Sequence, residues 1–228
     1  KLDQHEKAEQ DLTAVIELDK THVRAHLMRG AVHFATQQYS FAMRDLNRAI
    51  ELDGQFSRAY YYRGLVQSAT GEYERAIFDL TKAIELSPLE CNIFCARASA
   101  YMSLESYGNA VQDCTHAIEL DAGDAGTFRQ RGVAYLELKE YRLAVADLTR
   151  AIELSPALAE AYVDRGRAYE KLGRYEEALN DLNEAIELDP EQALAYYNRG
   201  VIYGSMGDYD RATQNLNKAI ALDPSLAD

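Results

Sequence analysis

The chain has 228 residues, 47% of them apolar and 27% charged, with no Trp and a formal charge of -13. That acidity argues against a nucleic-acid partner or an anionic membrane, because affinity for phosphates comes largely from Lys and Arg. No apolar run approaches the ~20 residues that a membrane helix needs. The pentapeptide Ala-Ile-Glu-Leu-Asp, or a near copy, then recurs from Val15, Ala49, Ala83, Ala117, Ala151, Ala185 and Ala219, always 34 residues apart. A fixed period of this length means one supersecondary unit that buries its apolar face only by stacking on copies of itself.

The chain opens with a single helix at about 1–22. Six units follow, at 23–56, 57–90, 91–124, 125–158, 159–192 and 193–226. In the unit 57–90, Ala59, Tyr60, Gly64 and Val66 mark one face of a first helix. Gly71 and Glu72 punctuate, and Ala76, Leu80, Ala83 and Ile84 mark the face of a second helix. Pro88 stops that second helix, as do Pro156, Pro190 and Pro224 elsewhere. Small residues recur where the two helices approach: Gly30, Gly64, Ala98, Gly132, Gly166 and Gly200 on the first, an Ala at the matching place on the second.

Tyr162, Gly166, Tyr169, Tyr175, Ala178, Ala185 and Pro190 show the pattern in one unit, and with the 34-residue period it resembles the tetratricopeptide repeat. The resemblance covers essentially the whole chain. It implies an all-α, right-handed superhelical solenoid of antiparallel helix pairs, with a concave groove lined by the first helices, in a family of peptide-binding and assembly-organising modules. Departures from the family pattern are local: His26 and His33 stand in place of aromatics, Gln67 in place of Tyr, Ala98 of Gly, and Cys114 of a large aliphatic residue.

A residue type present at one offset in every unit serves the scaffold, whereas one that breaks its row is free to serve a ligand. Thirteen of the 16 tyrosines fall in rows, leaving Tyr61, Tyr62 and Tyr197. Arg29, Arg63, Arg97, Arg131, Arg165 and Arg199 form one row. Asp11, Asp45, Asp79, Asp113, Asp147 and Asp181 form another, so a ladder of ion pairs is expected, either within a unit or across the junction. Opposite the packing face, the first helices carry a strip that the resemblance assigns to the groove. It includes Leu27, Val163, five basic residues (Arg24, Arg58, Arg129, Arg167, Lys171) and three acidic ones (Glu137, Glu160, Glu170). The strip is net positive in an acidic chain, and aromatic and Arg anchors beside apolar floor are the usual makings of a binding hot spot. The candidate groove residues are Arg24, Phe34, Arg58, Tyr61, Leu65, Met102, Arg129, Arg167 and Tyr197. Packing of Tyr61 and Leu65 against neighbouring first helices is the alternative.

No phosphate-binding loop, dinucleotide fingerprint, nucleophile elbow or zinc-protease helix occurs, so neither a catalytic site nor a cofactor is expected. Cys91 and Cys95, spaced i,i+4, read as packing thiols with Cys114. His22, His26 and His33 read as packing residues, and Asp121 to Gly126 as a flexible junction rather than a calcium loop. The family's two-carboxylate clamp needs Lys then Asn at successive groove positions, and none of the six pairs, Tyr61/Leu65 among them, matches. The three cysteines favour a reducing, cytoplasmic setting. The start at Lys-Leu-Asp, with no initiator Met, reads as a cut or processed end. The expected role is that of a non-enzymatic adaptor for a peptide or protein with acidic and apolar side chains. Its rivals are an end-to-end self-stacking scaffold and the repeat segment of a larger protein.

Overall fold

The computed structural model describes residues 2–227, with side chains from Gln4 onward. These residues form thirteen α-helices and no strand. A lone helix α1 (Leu2–Leu18) is followed by pairs of a first and a second helix: α2 (Val23–Ala35) with α3 (Tyr39–Leu52), α4 (Ser57–Ala69) with α5 (Tyr73–Leu86), and α6 (Cys91–Ser103) with α7 (Tyr107–Leu120). The pairs continue as α8 (Ala125–Glu137) with α9 (Tyr141–Leu154), α10 (Ala159–Lys171) with α11 (Tyr175–Leu188), and α12 (Ala193–Ser205) with α13 (Tyr209–Leu222), before a 3-10 turn at Pro224–Ala227. None of the described helices is long and apolar enough to cross a membrane. The chain divides into two compact units, one ending at Leu120 and the other beginning at Asp121.

The second helices fold on one stripe. In α5, Ala76, Asp79, Leu80 and Ala83 follow the i, i+3, i+4, i+7 spacing of a single face, and none is more than 1% exposed. The helix ends where the Ser87 amide donates to Ala83 O, and Pro88 cannot extend it. First helices end differently. Gln37, Gly71, Glu105, Lys139, Gly173 and Gly207, 34 residues apart, all have positive φ, between 56° and 82°. The next amide folds back five residues, as in Glu72 N to Gln67 O at 2.8 Å and Glu140 N to Tyr135 O at 2.9 Å, which is a Schellman cap. Left-handed backbone costs a side-chain-bearing residue about 1–2 kcal/mol, of which glycine's extra unfolded-state freedom returns about 0.5–1. Lys139→Gly is therefore expected to raise stability by roughly 0.5–1 kcal/mol, read as a higher denaturant midpoint. A lower midpoint would mean that Lys139 makes contacts worth more than its backbone strain.

The arginine and aspartate rows form a ladder whose ion pairs lie within each repeat. Arg63 grips Asp79 with two bonds, Nε to Oδ2 at 2.6 Å and Nη2 to Oδ1 at 2.7 Å. Its remaining Nη1 donates to Asn47 Oδ1 on the preceding second helix at 2.7 Å. Arg29 treats Asp45 and Thr13 in the same way, Arg97 treats Asp113 and Thr81, and Arg165 treats Asp181 and Thr149. Arg131 pairs with Asp147, while Arg199 reaches two amides, those of Asn215 and Asn183. Arg29, Arg63, Arg97, Arg165 and Arg199 thus each tie three helices with one side chain, a geometry that the flat guanidinium provides and an ammonium does not. The two histidines in aromatic rows serve the first rung: His26 Nδ1 and His33 Nε2 lie 3.5 and 3.6 Å from Asp45. His22 instead caps α2, accepting from the Ala25 amide.

The division between the units falls at the glycine-bearing junction. Asp124 caps α8 by accepting from the Gly126 and Thr127 amides, and residues 121–124 are exposed. Gly123 and Gly126 widen the backbone's freedom there. Amide exchange across 121–126 is expected to outpace that across 188–192, where Pro190 stiffens the turn. Equal protection at the two junctions would show that composition does not govern local opening.

Candidate peptide-binding groove

Because every repeat contributes one first helix, these helices lie side by side: α2, α4 and α6 in the first unit, α8, α10 and α12 in the second. The candidate residues divide the same way. Arg24, Phe34, Arg58, Tyr61, Leu65 and Met102 belong to the first unit, and Arg129, Arg167 and Tyr197 to the second.

In the first unit Arg24 and Arg58 are exposed and make no hydrogen bond or ion pair among the described residues. Phe34, Leu65 and Met102 are half-buried. Phe34 leans on Tyr39, ring centroids 6.2 Å apart. Tyr61 packs onto the core around Leu80 and Ile93, meets Tyr62 edge-on at 5.3 Å, and hydrogen-bonds Asn92 on α6. Burial pushes its phenol pKa up. Tyr61 is therefore part of the seam between α4 and α6 and shows only one side to the strip.

The second unit is different. Arg129 does not offer an unmatched charge: its Nε donates to Asp164 Oδ2 on α10 at 2.7 Å. Asp164 is only 6% exposed, and burial holds its carboxyl above the usual carboxylate range in spite of Arg129. Arg167 donates to Glu137 at 3.3 Å and has its other arm 3.7 Å from Asp164, while Lys171 pairs with Glu170 at 3.0 Å. Tyr197, 36% exposed, lines a cleft of about 200 Å³ with Arg167, Glu170 and Val201.

Two residues read onto the strip are not on its surface. Leu27 is 4% and Val163 3% exposed, and both pack in core clusters. They occupy the offset of Tyr61 and Arg129, whose side chains reach Asn92 and Asp164 on the following first helix; this offset forms the seam rather than the floor. Asn92 gave no sign of this role in the sequence, and Asp164 stands alone in its row. With three basic and three acidic residues, the strip of the second unit is neutral before Asp164 is counted. The positive excess lies wholly in the first unit, on Arg24 and Arg58.

Family models described as TPR repeat match residues 132–173 and 166–207, and models described as tetratricopeptide repeat match 57–88, 92–124 and 193–226. Together they cover well over half of the sequence. The chain belongs to the tetratricopeptide repeat family. Among solved tetratricopeptide structures, YrrB, described as having an unusual peptide-binding site, is 29% identical with a TM-score of 0.64, over 80% of this chain and 95% of that one. MamA from Desulfovibrio magneticus RS-1 is 22% identical with a TM-score of 0.67, over 75% and 97%. The Cut9-Hcn1 hetero-tetramer of APC/C gives a TM-score of 0.80 at 19% identity, covering 96% of this chain but 43% of that one. No curated protein matches the sequence. In this tetratricopeptide array the rows that make the fold are thus separable from the few side chains that break them.

Proposed function

We propose that this chain is a non-enzymatic interaction module that holds an acidic and apolar segment of a partner protein along the first helices of its first unit. The observation that carries the reading is the pair Arg24 and Arg58, exposed and unmatched by any acid on their strip in a protein of charge -13. Each lies on a helix that also presents half-buried apolar groups, Phe34 on α2 and Leu65 on α4, with Met102 following on α6. Charge fixes register and speeds encounter, while the apolar floor supplies most of the affinity. Family membership supports an interaction role, as does the peptide-binding site named for YrrB. In the second unit Arg129 and Arg167 hold the seam through Asp164 and Glu137, and Tyr197 adds apolar surface.

The test begins with a partner captured from cell extract and identified by mass spectrometry. Arg24→Glu with Arg58→Glu changes two exposed side chains and is expected to leave the fold intact. It is expected to weaken the partner at least tenfold, about 1.4 kcal/mol, and raised salt to weaken it moderately. If that variant binds normally while Phe41→Ala with Phe78→Ala, on the exposed face of α3 and α5, abolishes binding, the working surface is the other one.

A further inference from the structure

The second unit holds one carboxylate unlike those of the ladder. The Asp164 side chain is 9% exposed beneath two guanidinium-bearing side chains that themselves stand in water, Arg129 at 37% and Arg167 at 40%. In the ladder the Arg side chains over Asp45, Asp79, Asp113, Asp147 and Asp181 are 14–20% exposed, so acid and base are shut in together. The bonding differs as well. Each of those five aspartates takes two N–H bonds from one fork. Asp164 takes one, from Arg129 Nε to Oδ2 at 2.7 Å, while its Oδ1 faces Arg167 Nη1 at 3.7 Å, beyond hydrogen-bond reach.

Burial and the neighbouring charges pull this carboxyl in opposite directions. Desolvation is the largest influence and raises its pKa, Arg129 and then Arg167 lower it, and Glu160, one turn back on α10, raises it again; the outcome is a carboxyl held above the usual range. Glu137 of α8 reaches it only through Arg167, from which it accepts at 3.3 Å. Of the other helices packed on α10, α9 and α11 commit Asp147 and Asp181 to Arg131 and Arg165, and the α12 residues beside Arg167 in the cleft, Tyr197 and Asn198, carry no charge at neutral pH. We propose that Asp164 is a proton-operated latch of the second unit: ionised, it holds Arg129 down on the seam between α8 and α10 and draws Arg167 towards it, and protonated, it lets Arg129 swing free as an unmatched cation. A neutral carboxyl gives up the charge-assisted bond. Because both arginines already stand in water, their release strands no buried charge, the cost that forbids the same opening in the ladder. The strip of the second unit goes from three basic and four acidic residues, Asp164 included, to three and three, and Arg129 comes to resemble Arg24 and Arg58. A carboxyl whose protonated form the fold favours adds stability below the ordinary aspartate range and loses it as pH rises through its own higher value. Acidification therefore opens the latch in a protein that this group does not unfold. The latch belongs to the chain alone and stands or falls apart from the groove reading.

Nuclear magnetic resonance of the whole chain, carrying nitrogen-labelled arginine and carbon-labelled aspartate carboxyls, tests this as pH is lowered from neutrality. The Arg129 Nε–Hε signal, assigned with Arg129→Lys, is expected to move to the position of a free guanidinium in one step, with a midpoint above the ordinary aspartate value of about 4. The Asp164 carboxyl carbon should titrate at that same midpoint, while the Arg165 Nε–Hε signal of the ladder stays in place. In Asp164→Asn the Arg129 signal should sit near its low-pH position already at neutrality and lose the step. An Asp164 carbon that titrates at or below the ordinary value would overturn the proposal. So would an Arg129 step that persists in Asp164→Asn, or one that comes only together with a shift of Arg165, which would make the change a loosening of the array. Should Asp164→Asn not fold, the parent protein decides alone: coincident carbon and arginine midpoints uphold the latch, and separate ones refute it.

Discussion

Asp79→Ala is expected to cost about 3–5 kcal/mol of stability, whereas Glu85→Ala, six residues along the same helix, is expected to cost less than about 1. Both residues are acidic and both are paired, Asp79 with Arg63 at 2.6 Å and Glu85 with Lys82 at 2.9 Å. Burial separates them. Asp79 is 1% exposed, and its loss strands the Arg63 guanidinium in the helix interface with the Asn47 hydrogen bond and the face of the Tyr60 ring as its remaining described contacts. The Glu85 side chain is 59% exposed, so water replaces what Lys82 loses. Thermal melts of the two variants beside the parent protein measure the difference. Equal shifts would mean that the ladder contributes no more than surface charge.

The second large effect concerns the irregular third pair. Where other repeats set Gly against Leu, α6 and α7 carry Ala98 and Cys114, both fully buried. A Cβ at Gly64 would lie 2.7 Å from Leu80 Cγ and 3.3 Å from Ala76 O, a separation that van der Waals repulsion forbids. The same register sets Ala98 against Cys114, so the extra methyl on one helix is matched by a smaller side chain on the other. The two departures form one compensated exchange. Cys114→Leu, although it restores the residue found elsewhere in the row, is therefore expected to destabilise by about 1–3 kcal/mol. Gly64→Ala should also be destabilising in the parent, but neutral or favourable by up to about 1 kcal/mol once Leu80→Cys has made room, because Ala is the better helix former. Additive costs in that double-mutant cycle, or a stabilised Cys114→Leu, would show that the two positions do not share space.

Most of the fold was legible in the sequence because a repeat prints the same contact several times. The Gly/Ala offsets, the tyrosine rows and the closing prolines each recur at the period, and the helices lie where those rows place them. The partners within the ladder were not legible, since an Asp 16 residues after one Arg and 18 before the next suits either. The Thr13, Asn47, Thr81, Thr149 and Asn183 row was present at a constant offset and held the answer, for it supplies the cross-repeat acceptor and leaves the Asp to its own repeat. Gln37, Glu105 and Lys139 likewise stood at the offset of Gly71, and with it of the left-handed cap. The candidate site was less legible. A helical wheel shows which side of one helix a residue occupies, but not what the next helix covers, so Leu27 and Val163 were placed on a surface that packing closes. Asp164 occurs once, in a row with no acidic companions, and only the distance to Arg129 reveals that it removes that charge from the groove.

Oxidative footprinting of the whole chain, with and without its captured partner, tests the central claim most directly, because it reads side-chain exposure at each residue. The account predicts that Phe34, Tyr61 and Met102, on the first helices of the first unit, lose reactivity on binding, while Phe41 and Phe78 keep theirs. Protection of Phe41 and Phe78 with Phe34, Tyr61 and Met102 unchanged would contradict it.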